Sequence, residues 1–490
     1  MRYFDLAVIL AYLAGITWFG ARFRKGQQSL RDYFLGGRNA PWWAISLSIV
    51  SAETSTLTII STPTLAFGGN LGFLQLVLGY LVARIVIAAV FLPQYFRGEM
   101  FTAYELMRRR FGERIRKLTA GVFLVTRALA EGVRVFAISL VIAIVLGTGE
   151  IQSIALIVIL TLFYTFEGGM TAVIWTDVVQ MTLYVVGASL SFAALLGKIP
   201  GGWEHLSAVA GAAHKFTVFD FRVSPDMAFF SRTYSFWAGL LGGCFLTTAS
   251  HGTDQLMVQR LLSARDEAQS RTALLASWGV IVFQFTLFLF IGLGLYVLYG
   301  DTHTQPPARL DRLYPEFIWN QLPHGLSGLL IAAILAAAMA NLSAALNSLS
   351  STVVVDFFHA RSKGMSEGKS VRLARLATIF WGAVLLAIAI GARYSKKSVL
   401  ETGLTIGSVP SGALLGVFLL GVLTRKPREG AAMAGMAAGL ATVGFVALGT
   451  RVAWTWYVLI GTVVTFAVAI VVSWFEPKER KQDVAADERR

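Results

Sequence analysis

Three hydroxyl-rich segments interrupt the apolar stretches of this sequence: SAETSTLT (51–58), IWTDVVQ (174–180) and MANLSAALNS (339–348). Their oxygen-bearing side chains include Ser51, Ser55, Thr58, Asp177, Asn341 and Ser343. Neutral hydroxyls and unwound carbonyls are the least costly ligands for a small cation inside a bilayer, because an unpaired buried charge is strongly unfavourable. The three segments together indicate a sodium-type ion site. The alternative is that each hydroxyl bonds back to its own helix and serves packing.

Charged residues also lie within apolar stretches. Arg127, Glu131 and Arg134 are spaced by four and three residues and therefore share one helical face. Intramembrane charges usually face the interior of the helix bundle and have a function, so this face is either an internal ion-pair ladder or a contact for a solute. Glu53 and Arg84 are expected to form a mutual salt bridge, with protonation of Glu53 during ion coupling as the alternative.

The composition is that of a membrane protein. Of the 490 residues, 56% are hydrophobic and 14% are charged, whereas a soluble domain carries about 25% charged residues. Stretches of about 20 apolar residues recur along the chain, and each can cross a hydrocarbon core of ~30 Å. The formal charge of +14 lies mostly in short loops, which favours a lipid bilayer over a nucleic-acid partner. Cys244 is the single cysteine, so neither a disulfide framework nor a thiol pair for zinc is expected.

The apolar stretches predict an all-α membrane protein with about 13 transmembrane helices, the first of them an uncleaved span. The predicted helices are 3–22, 41–67, 72–96, 117–147, 151–167, 171–197, 233–261, 272–299, 325–359, 371–393, 398–423, 430–449 and 453–475. Basic loops alternate with nearly uncharged connections, so the positive-inside rule places the basic loops in the cytoplasm. We expect a bacterial-type cytoplasmic (inner) membrane, with the N-terminus outside and the C-terminus in the cytoplasm.

One extra helix at the start leaves two sets of five helices, in 31–197 and 233–425, that begin on opposite sides of the membrane. This is the arrangement of an inverted repeat, with binding near the midplane where the first helix of each half breaks. The breaks are expected near 51–58 and near 242–254. The other predicted parts are an extra helix (1–30), an outer loop (198–232), two C-terminal helices (426–476) and a charged cytoplasmic tail (477–490).

Four segments resemble the landmarks of one transporter family. GGRNAPWW leading into SAETSTLT, GGMTAVIWTDVVQ, TDQLMVQRLLSA and LNSLSSTVVVDFF occur in order within residues 31–430. They are similar to segments of the sodium/solute symporter family, which includes the sodium–glucose, proline and sialic acid symporters. The resemblance implies a ten-helix inverted-repeat fold that imports a small organic solute by symport with sodium as the coupling ion, without any cofactor.

The resemblance also implies two sodium sites. The general site of the family would use the carbonyls of Ser51, Thr54 and Ala337 and the side chains at 340 and 341. Here these positions are Ala340 and Asn341, so the Asn341 amide oxygen is the available side-chain ligand, and proton coupling is an alternative. The second site, described in the sialic acid symporter branch, would use Ser55, Thr58, Asp177 and Ser343.

Candidate solute contacts follow from the same resemblance. Arg134 aligns with an arginine that binds the substrate carboxylate in sialic acid symporters, and a planar guanidinium suits that task. Ser250 and His251 stand where sugar transporters keep an aromatic pair, which argues against a stacked sugar; His251 is alternatively a packing histidine. Gln75 is a further candidate. A carboxylate-bearing solute (sialic acid, sugar acid or monocarboxylate) is therefore favoured, with a neutral sugar or amino acid as the alternative.

Two other classes of function are disfavoured. The sequence contains no nucleophile–base spacing, metal-ligand cluster or cofactor motif, which argues against a membrane enzyme. Solute sensors that use this fold carry signalling domains after the last helix, whereas a short charged tail follows Trp474 here. The expected partners are therefore a small-molecule solute, the sodium ion and the lipid bilayer.

Overall fold

The computed structural model describes residues 2–22, 38–97, 103–164, 170–224, 226–353, 367–395 and 397–476. The α-helices in chain order are α1 (Tyr3–Ala21), α2 (Trp42–Glu53), α3 (Thr56–Gly68), α4 (Leu74–Val86), α5 (Leu92–Tyr95), α6 (Ala103–Phe111), α7 (Glu113–Leu146), α8 (Glu150–Tyr164), α9 (Met170–Leu196), α10 (Gly202–Ala212), α11 (Ala228–Ser231), α12 (Gly243–Gly252), α13 (Gln255–Leu262), α14 (Glu267–Asp301), α15 (Leu313–Gln321), α16 (Leu326–Thr352), α17 (Glu367–Ala392), α18 (Val399–Leu423), α19 (Glu429–Gly449) and α20 (Tyr457–Ser473). In these ranges the only β pairing is an isolated bridge between Ala40 and Ala264.

The described helices include nine that are long and apolar enough to cross a membrane, and the bent pair α2–α3 would be a tenth. Where the structure describes both ends of a span, the ends lie within about five residues of the predicted ones. The agreement has a physical cause, because a helix satisfies all of its backbone polar groups within one segment, as hydrocarbon demands. The prediction of an all-helical membrane protein is confirmed.

The first broken helix consists of α2 and α3, which meet at an angle of 68°. At the break, the amide of Ser55 bonds to the Glu53 carbonyl (3.1 Å) and the amide of Thr58 bonds to the Ser55 carbonyl (2.9 Å). A continuous helix would direct these two amides to the carbonyls of Ser51 and Thr54 instead. Those two carbonyls therefore lose their helical partners and become available to other groups.

The second broken helix has its interruption at Thr253–Asp254, the C-terminal end of the segment in which a break is predicted. A π-helical turn over Ala238–Gly242 leads into α12, which ends at Gly252. Asp254 then caps α13 by accepting a hydrogen bond from the amide of Leu256 at 2.8 Å. The cap redirects the chain without proline.

Glycine brings α4 against the second broken helix. A Cβ on Gly79 would lie 2.5 Å from the carbonyl oxygen of Gly239 and 2.7 Å from that of Leu240. No side chain fits at that distance, so the backbones of the two segments are in direct contact. The helix after the first break is thereby held to the helix that contains the second break.

The first helix is anchored to α16, the helix that carries Ala337, Asn341 and Ser343. Asp5 is fully buried. Its carboxylate accepts hydrogen bonds from the amides of Gly325 (2.7 Å) and Gly328 (3.2 Å) and from the Ser327 hydroxyl (3.0 Å). Asp5 therefore supplies the N-terminal amides of α16 with an acceptor that α16 itself lacks.

Candidate functional site

A small cavity lies where the first break meets α7 and α16. The residues that line it are Ser55, Thr56, Glu131, Arg134, Val135, Ile138, Ala338, Asn341 and Leu342. Its size is close to that of one water molecule. Four of the predicted site residues, Ser55, Glu131, Arg134 and Asn341, therefore meet around one space.

The charges beside this cavity do not cancel. The Glu131 side chain is 1% exposed, and its Oε1 lies 3.0 Å from Nη2 of Arg127. The same oxygen accepts a hydrogen bond from Nη1 of Arg134, whose side chain is 30% exposed. One carboxylate thus faces two guanidinium groups, which leaves one excess positive charge. The Nε atoms of Arg127 and Arg134 are both buried donors without a hydrogen-bond partner within the described ranges.

The start of α3 adds to this positive potential. Ser55 is the N-cap of α3 and has extended backbone angles, and Thr56 is the first helical residue. Both line the cavity. The N-terminal end of a helix carries partial positive charge and unpaired N–H groups, which suit an anion.

The other residues of the predicted general sodium site lie at the first break and on α16. Thr54 donates its hydroxyl hydrogen to Oε1 of Gln284 at 2.9 Å, which leaves its carbonyl as the free oxygen. Ala337 is buried on α16, one turn before the partly buried Asn341. Ala340 is exposed. The structure therefore directs Asn341, and not position 340, towards the first break.

Asp177 occupies a separate cluster. Its Oδ2 accepts a hydrogen bond from the Ser48 hydroxyl at 2.5 Å and forms an ion pair with Nη2 of Arg260 at 3.0 Å. Its Oδ1 accepts a weaker hydrogen bond from the Ser51 hydroxyl at 3.3 Å. The other predicted members of the second sodium site, Ser55, Thr58 and Ser343, are buried. In the part of the chain that the structure describes, none of these three is hydrogen-bonded to Asp177.

Arg260 and Ser48 were missed by the sequence reasoning. Arg260 lies within TDQLMVQRLLSA, a segment used for the family resemblance, and a lone arginine beside a membrane span is itself a signal for a buried partner. The partner could not be named, because Asp177 is 83 positions away along the chain.

A third buried cluster joins the two broken helices. Oε2 of Glu53 accepts a hydrogen bond from Nη2 of Arg84 at 2.6 Å and lies 3.2 Å from Nε2 of His251. Arg84 is fully buried and donates from Nε to the Ser277 hydroxyl at 3.0 Å. The Ser250 hydroxyl lies 2.9 Å from Nδ1 of His251. Ser250 and His251 are therefore engaged with this cluster and are not among the residues that line the cavity.

Gln75 is likewise not among the residues that line the cavity. Its amide nitrogen donates to the carbonyls of Gly72 (3.1 Å) and Tyr234 (3.0 Å), and its amide oxygen accepts from the amide of Asp220 (2.9 Å). Both amide hydrogens and the oxygen are thus directed at the backbone. In this arrangement Gln75 fixes the loop between α10 and α12.

Asp311 connects helices at the end of the bundle that carries the loops after α9 and α14, here named the outer end. Asp311 accepts a hydrogen bond from the Ser61 hydroxyl of α3 at 2.6 Å and from the amide of Val399 at the start of α18 at 3.1 Å. The pKa of the Asp311 carboxyl is raised to about 6, mainly because the group is buried. The hydrogen bonds from Ser61 and Val399 and the charge of Arg309 lower this pKa, whereas the charge of Glu401 raises it. Asp311 therefore joins the second half of the first broken helix to α18 at the outer end.

Two further contacts strengthen the outer end. The Tyr234 hydroxyl donates to Oε1 of Glu401 on α18 at 2.7 Å. Nζ of Lys215 donates to the carbonyls of Phe67 (2.8 Å) and Gly69 (2.9 Å), which are at the end of α3. Burial lowers the pKa of Lys215. The lysine supplies donors for the terminal carbonyls of α3.

Comparisons with known proteins agree with this arrangement. A family model described as the sodium:solute symporter family matches residues 33–439. The human sodium/iodide cotransporter is 29% identical over 90% of this chain and 69% of its own length. The sodium/sialic acid symporter SiaT of Proteus mirabilis is 27% identical over 98% of this chain and 96% of its own length.

A solved structure is also similar over the whole chain. The substrate-bound outward-open state of a Na+-coupled sialic acid symporter has a TM-score of 0.83 and 26% identity, and covers 98% of this chain and 99% of that chain. The family model spans most of the sequence, and the fold is shared with that transporter. This chain belongs to the sodium:solute symporter family, as its sequence motifs predict.

Proposed function

We propose that this protein is a sodium-coupled symporter that imports a small carboxylate-bearing solute, of the sialic acid, sugar-acid or monocarboxylate type. The observation that carries the proposal is the excess positive charge beside the cavity. Glu131 is shared between Arg127 and Arg134, and Arg134 is the one of the two arginines that lines the cavity. A carboxylate that binds there when the water-sized cavity widens would balance the charge and accept charge-assisted hydrogen bonds, which are stronger than neutral ones.

The chemistry of the relatives supports an anionic solute. Iodide and sialic acid, which appear in the names of two relatives, are both anions. The N-terminal end of α3 at Ser55 and Thr56 provides a second favourable contact for an anion at the same cavity. Transporters with broken helices use half-helix N-termini in this way.

The coupling sodium would bind at the first break. The carbonyls of Ser51 and Thr54 have lost their helical partners, and Asn341 faces the break from α16. Together with the Ala337 carbonyl they form an oxygen set suited to a small cation. A second sodium would use Ser55, Thr58, Ser343 and Asp177, and it would compete with the present partners of Asp177.

The architecture behind this proposal is that of the predicted repeat. Thirteen crossings, as counted from the sequence, comprise two inverted five-helix units in 31–197 and 233–425, an extra helix before them and two after them. The protein would lie in a bacterial-type inner membrane with its N-terminus outside and act as a transporter and not as an enzyme. The two breaks would then alternate in giving access to the cavity.

Uptake into proteoliposomes tests the proposal. The purified chain would be given radiolabelled N-acetylneuraminate, glucuronate, lactate, iodide, glucose and proline, under an inward sodium gradient or an inward proton gradient. We expect concentrative uptake of a carboxylate under the sodium gradient alone. Accumulation driven by protons without sodium would overturn the sodium coupling. Accumulation of glucose, zwitterionic proline or iodide without any of the three anionic carboxylates would overturn the solute class.

A further inference from the structure

Ser48, Asp177 and Arg260 form a closed triad between three helices. Ser48 donates to Oδ2 of Asp177 at 2.5 Å, and Nη2 of Arg260 lies 3.0 Å from the same oxygen. Nε of Arg260 donates to the Ser48 hydroxyl at 3.0 Å, which completes the ring of contacts. The side chains of Arg260 and Asp177 are 7% and 13% exposed, so little water screens the pair.

The triad lies between the cavity and the inner end of the bundle, opposite to the outer end. Ser48 is the seventh residue of α2 and Asp177 the eighth of α9. At about 1.5 Å per residue, both lie roughly 10 Å inside the ends at which these helices begin. The first break at Thr54–Ser55 is roughly 9 Å further along α2.

The triad also connects the two broken helices. Ser48 belongs to α2, the first half of the first broken helix, and Arg260 belongs to α13, which follows the second break. Nη1 of Arg260 additionally donates to the Leu256 carbonyl of its own helix at 2.9 Å, which fixes the direction of the guanidinium. Asp177 on α9 is thus the shared anchor for the inner half of each broken helix.

We propose that Arg260 is the latch that keeps the inner side of the cavity closed. Its guanidinium holds α2 and α13 against α9 through Asp177 and Ser48, and these half-helices separate from α9 only after the guanidinium leaves Asp177. The latch rests on the proposed function in one respect: a sodium ion at Asp177 would compete with Arg260 for Oδ2. Arg260 is therefore a positioning residue for transport and is not itself a ligand of the solute.

Hydrogen exchange tests the latch without sodium or solute. The full chain in nanodiscs would be compared as wild type, Arg260→Gln, Arg260→Lys and Arg127→Gln. We expect Arg260→Gln to exchange roughly tenfold faster over 42–53 and 255–262 and to match wild type over 56–68, because only the latched half-helices are released. Arg260→Lys should lie between them, since one ammonium cannot reproduce two directed contacts.

The matched control is Arg127→Gln, which breaks another buried arginine–carboxylate pair, one whose two residues both belong to α7. Wild-type exchange over 42–53 in Arg260→Gln, or an equal increase in Arg127→Gln, would overturn the latch. Ser48→Ala removes the hydroxyl that links α2 to Asp177 and Arg260 and keeps the Arg260–Asp177 ion pair. If Arg260→Gln does not fold, the same exchange measurement is made on Ser48→Ala. Faster exchange over 42–53 in Ser48→Ala supports the latch, and unchanged exchange overturns it.

The competition with sodium has its own measurement. Sodium-driven uptake by Arg260→Gln should reach half of its maximum at a lower sodium concentration than in wild type, whereas Asp177→Asn should require more sodium. A sodium requirement that is unchanged in both variants would overturn the competition. Faster exchange in Arg260→Gln without uptake by wild type under any gradient would overturn the symport proposal and leave the latch intact. Sodium-driven uptake by wild type together with unchanged hydrogen exchange in Arg260→Gln would overturn the latch and leave the symport proposal intact.

Discussion

Replacing Arg134 by Gln removes the excess positive charge beside the cavity and leaves the Arg127–Glu131 ion pair in place. Arg134 shares the Oε1 oxygen of Glu131 with Arg127 and lines the cavity. The substitution therefore converts a site with one surplus positive charge into a neutral one. An anionic solute loses its counter-charge and a guanidinium donor, whereas the carboxylate of Glu131 keeps Arg127 as a partner.

The magnitude follows from the environment of Arg134. A hydrogen bond to a charged group contributes about 1.5–3 kcal/mol. The Arg134 side chain is 30% exposed, and partial screening by water favours the lower part of that range, about 1.5–2 kcal/mol. Because about 1.4 kcal/mol corresponds to a factor of ten, the dissociation constant of the carboxylate solute should rise roughly 10- to 30-fold.

The assay is equilibrium binding of the transported carboxylate and of its methyl ester to the purified protein in saturating sodium. Arg134→Gln should weaken binding of the carboxylate and leave that of the ester nearly unchanged. Arg127→Gln is the matched control: it removes the same net charge from the three-residue cluster, but Arg127 is not among the residues that line the cavity. The loss of carboxylate binding should therefore be smaller in Arg127→Gln than in Arg134→Gln. Equal losses in the two variants, or an equal loss for the ester, would contradict a direct contact between Arg134 and the carboxylate.

Three further predictions concern the outer end and the packing. Asp311 has a pKa raised to about 6 in the buried arrangement that joins α3 to α18, against 3.8 for the ordinary group, so protons favour that arrangement. Between pH 7.5 and pH 5 this preference should grow roughly tenfold. The rate of solute entry should therefore fall as the pH is lowered in wild type, and this pH dependence should be absent in Asp311→Asn. A wild-type rate that does not change with pH would contradict this role of Asp311. Asp5→Asn removes the negative charge from the group that accepts hydrogen bonds from the amides at the start of α16. It should lower the free energy of unfolding by about 1–2 kcal/mol, measured as a lower midpoint of thermal unfolding by tryptophan fluorescence. An unchanged midpoint would show that this cap does not stabilise the fold. Gly79→Ala forces α4 away from the Gly239 carbonyl. It should lower the free energy of unfolding by about 1–3 kcal/mol and therefore also lower the same midpoint. Gly121→Ala, where a Cβ would meet nothing within 4 Å, should have no such effect, and equal shifts would refute the packing argument.

The helices and the first break are properties that the sequence determined by itself. A long apolar segment in hydrocarbon has to satisfy its backbone internally, so composition alone located spans such as α7 and α14. The break at Thr54–Ser55 was predicted because a run of hydroxyl residues is unusually polar for a segment in mid-membrane. The face shared by Arg127, Glu131 and Arg134 followed from helical spacing, since the three residues lie on one helix.

The tertiary structure alone decided which helices meet. Asp177 and Arg260 are 83 positions apart, and Ser61 and Asp311 are 250 apart. Helical periodicity specifies which residues share a face, but not which neighbouring helix that face contacts or at what height. Gln75 illustrates the difference: its position suggested a contact with the solute, and packing directed its amide to a loop. Partner choice depends on the rotation and depth of several helices at once, and these are set by the whole bundle.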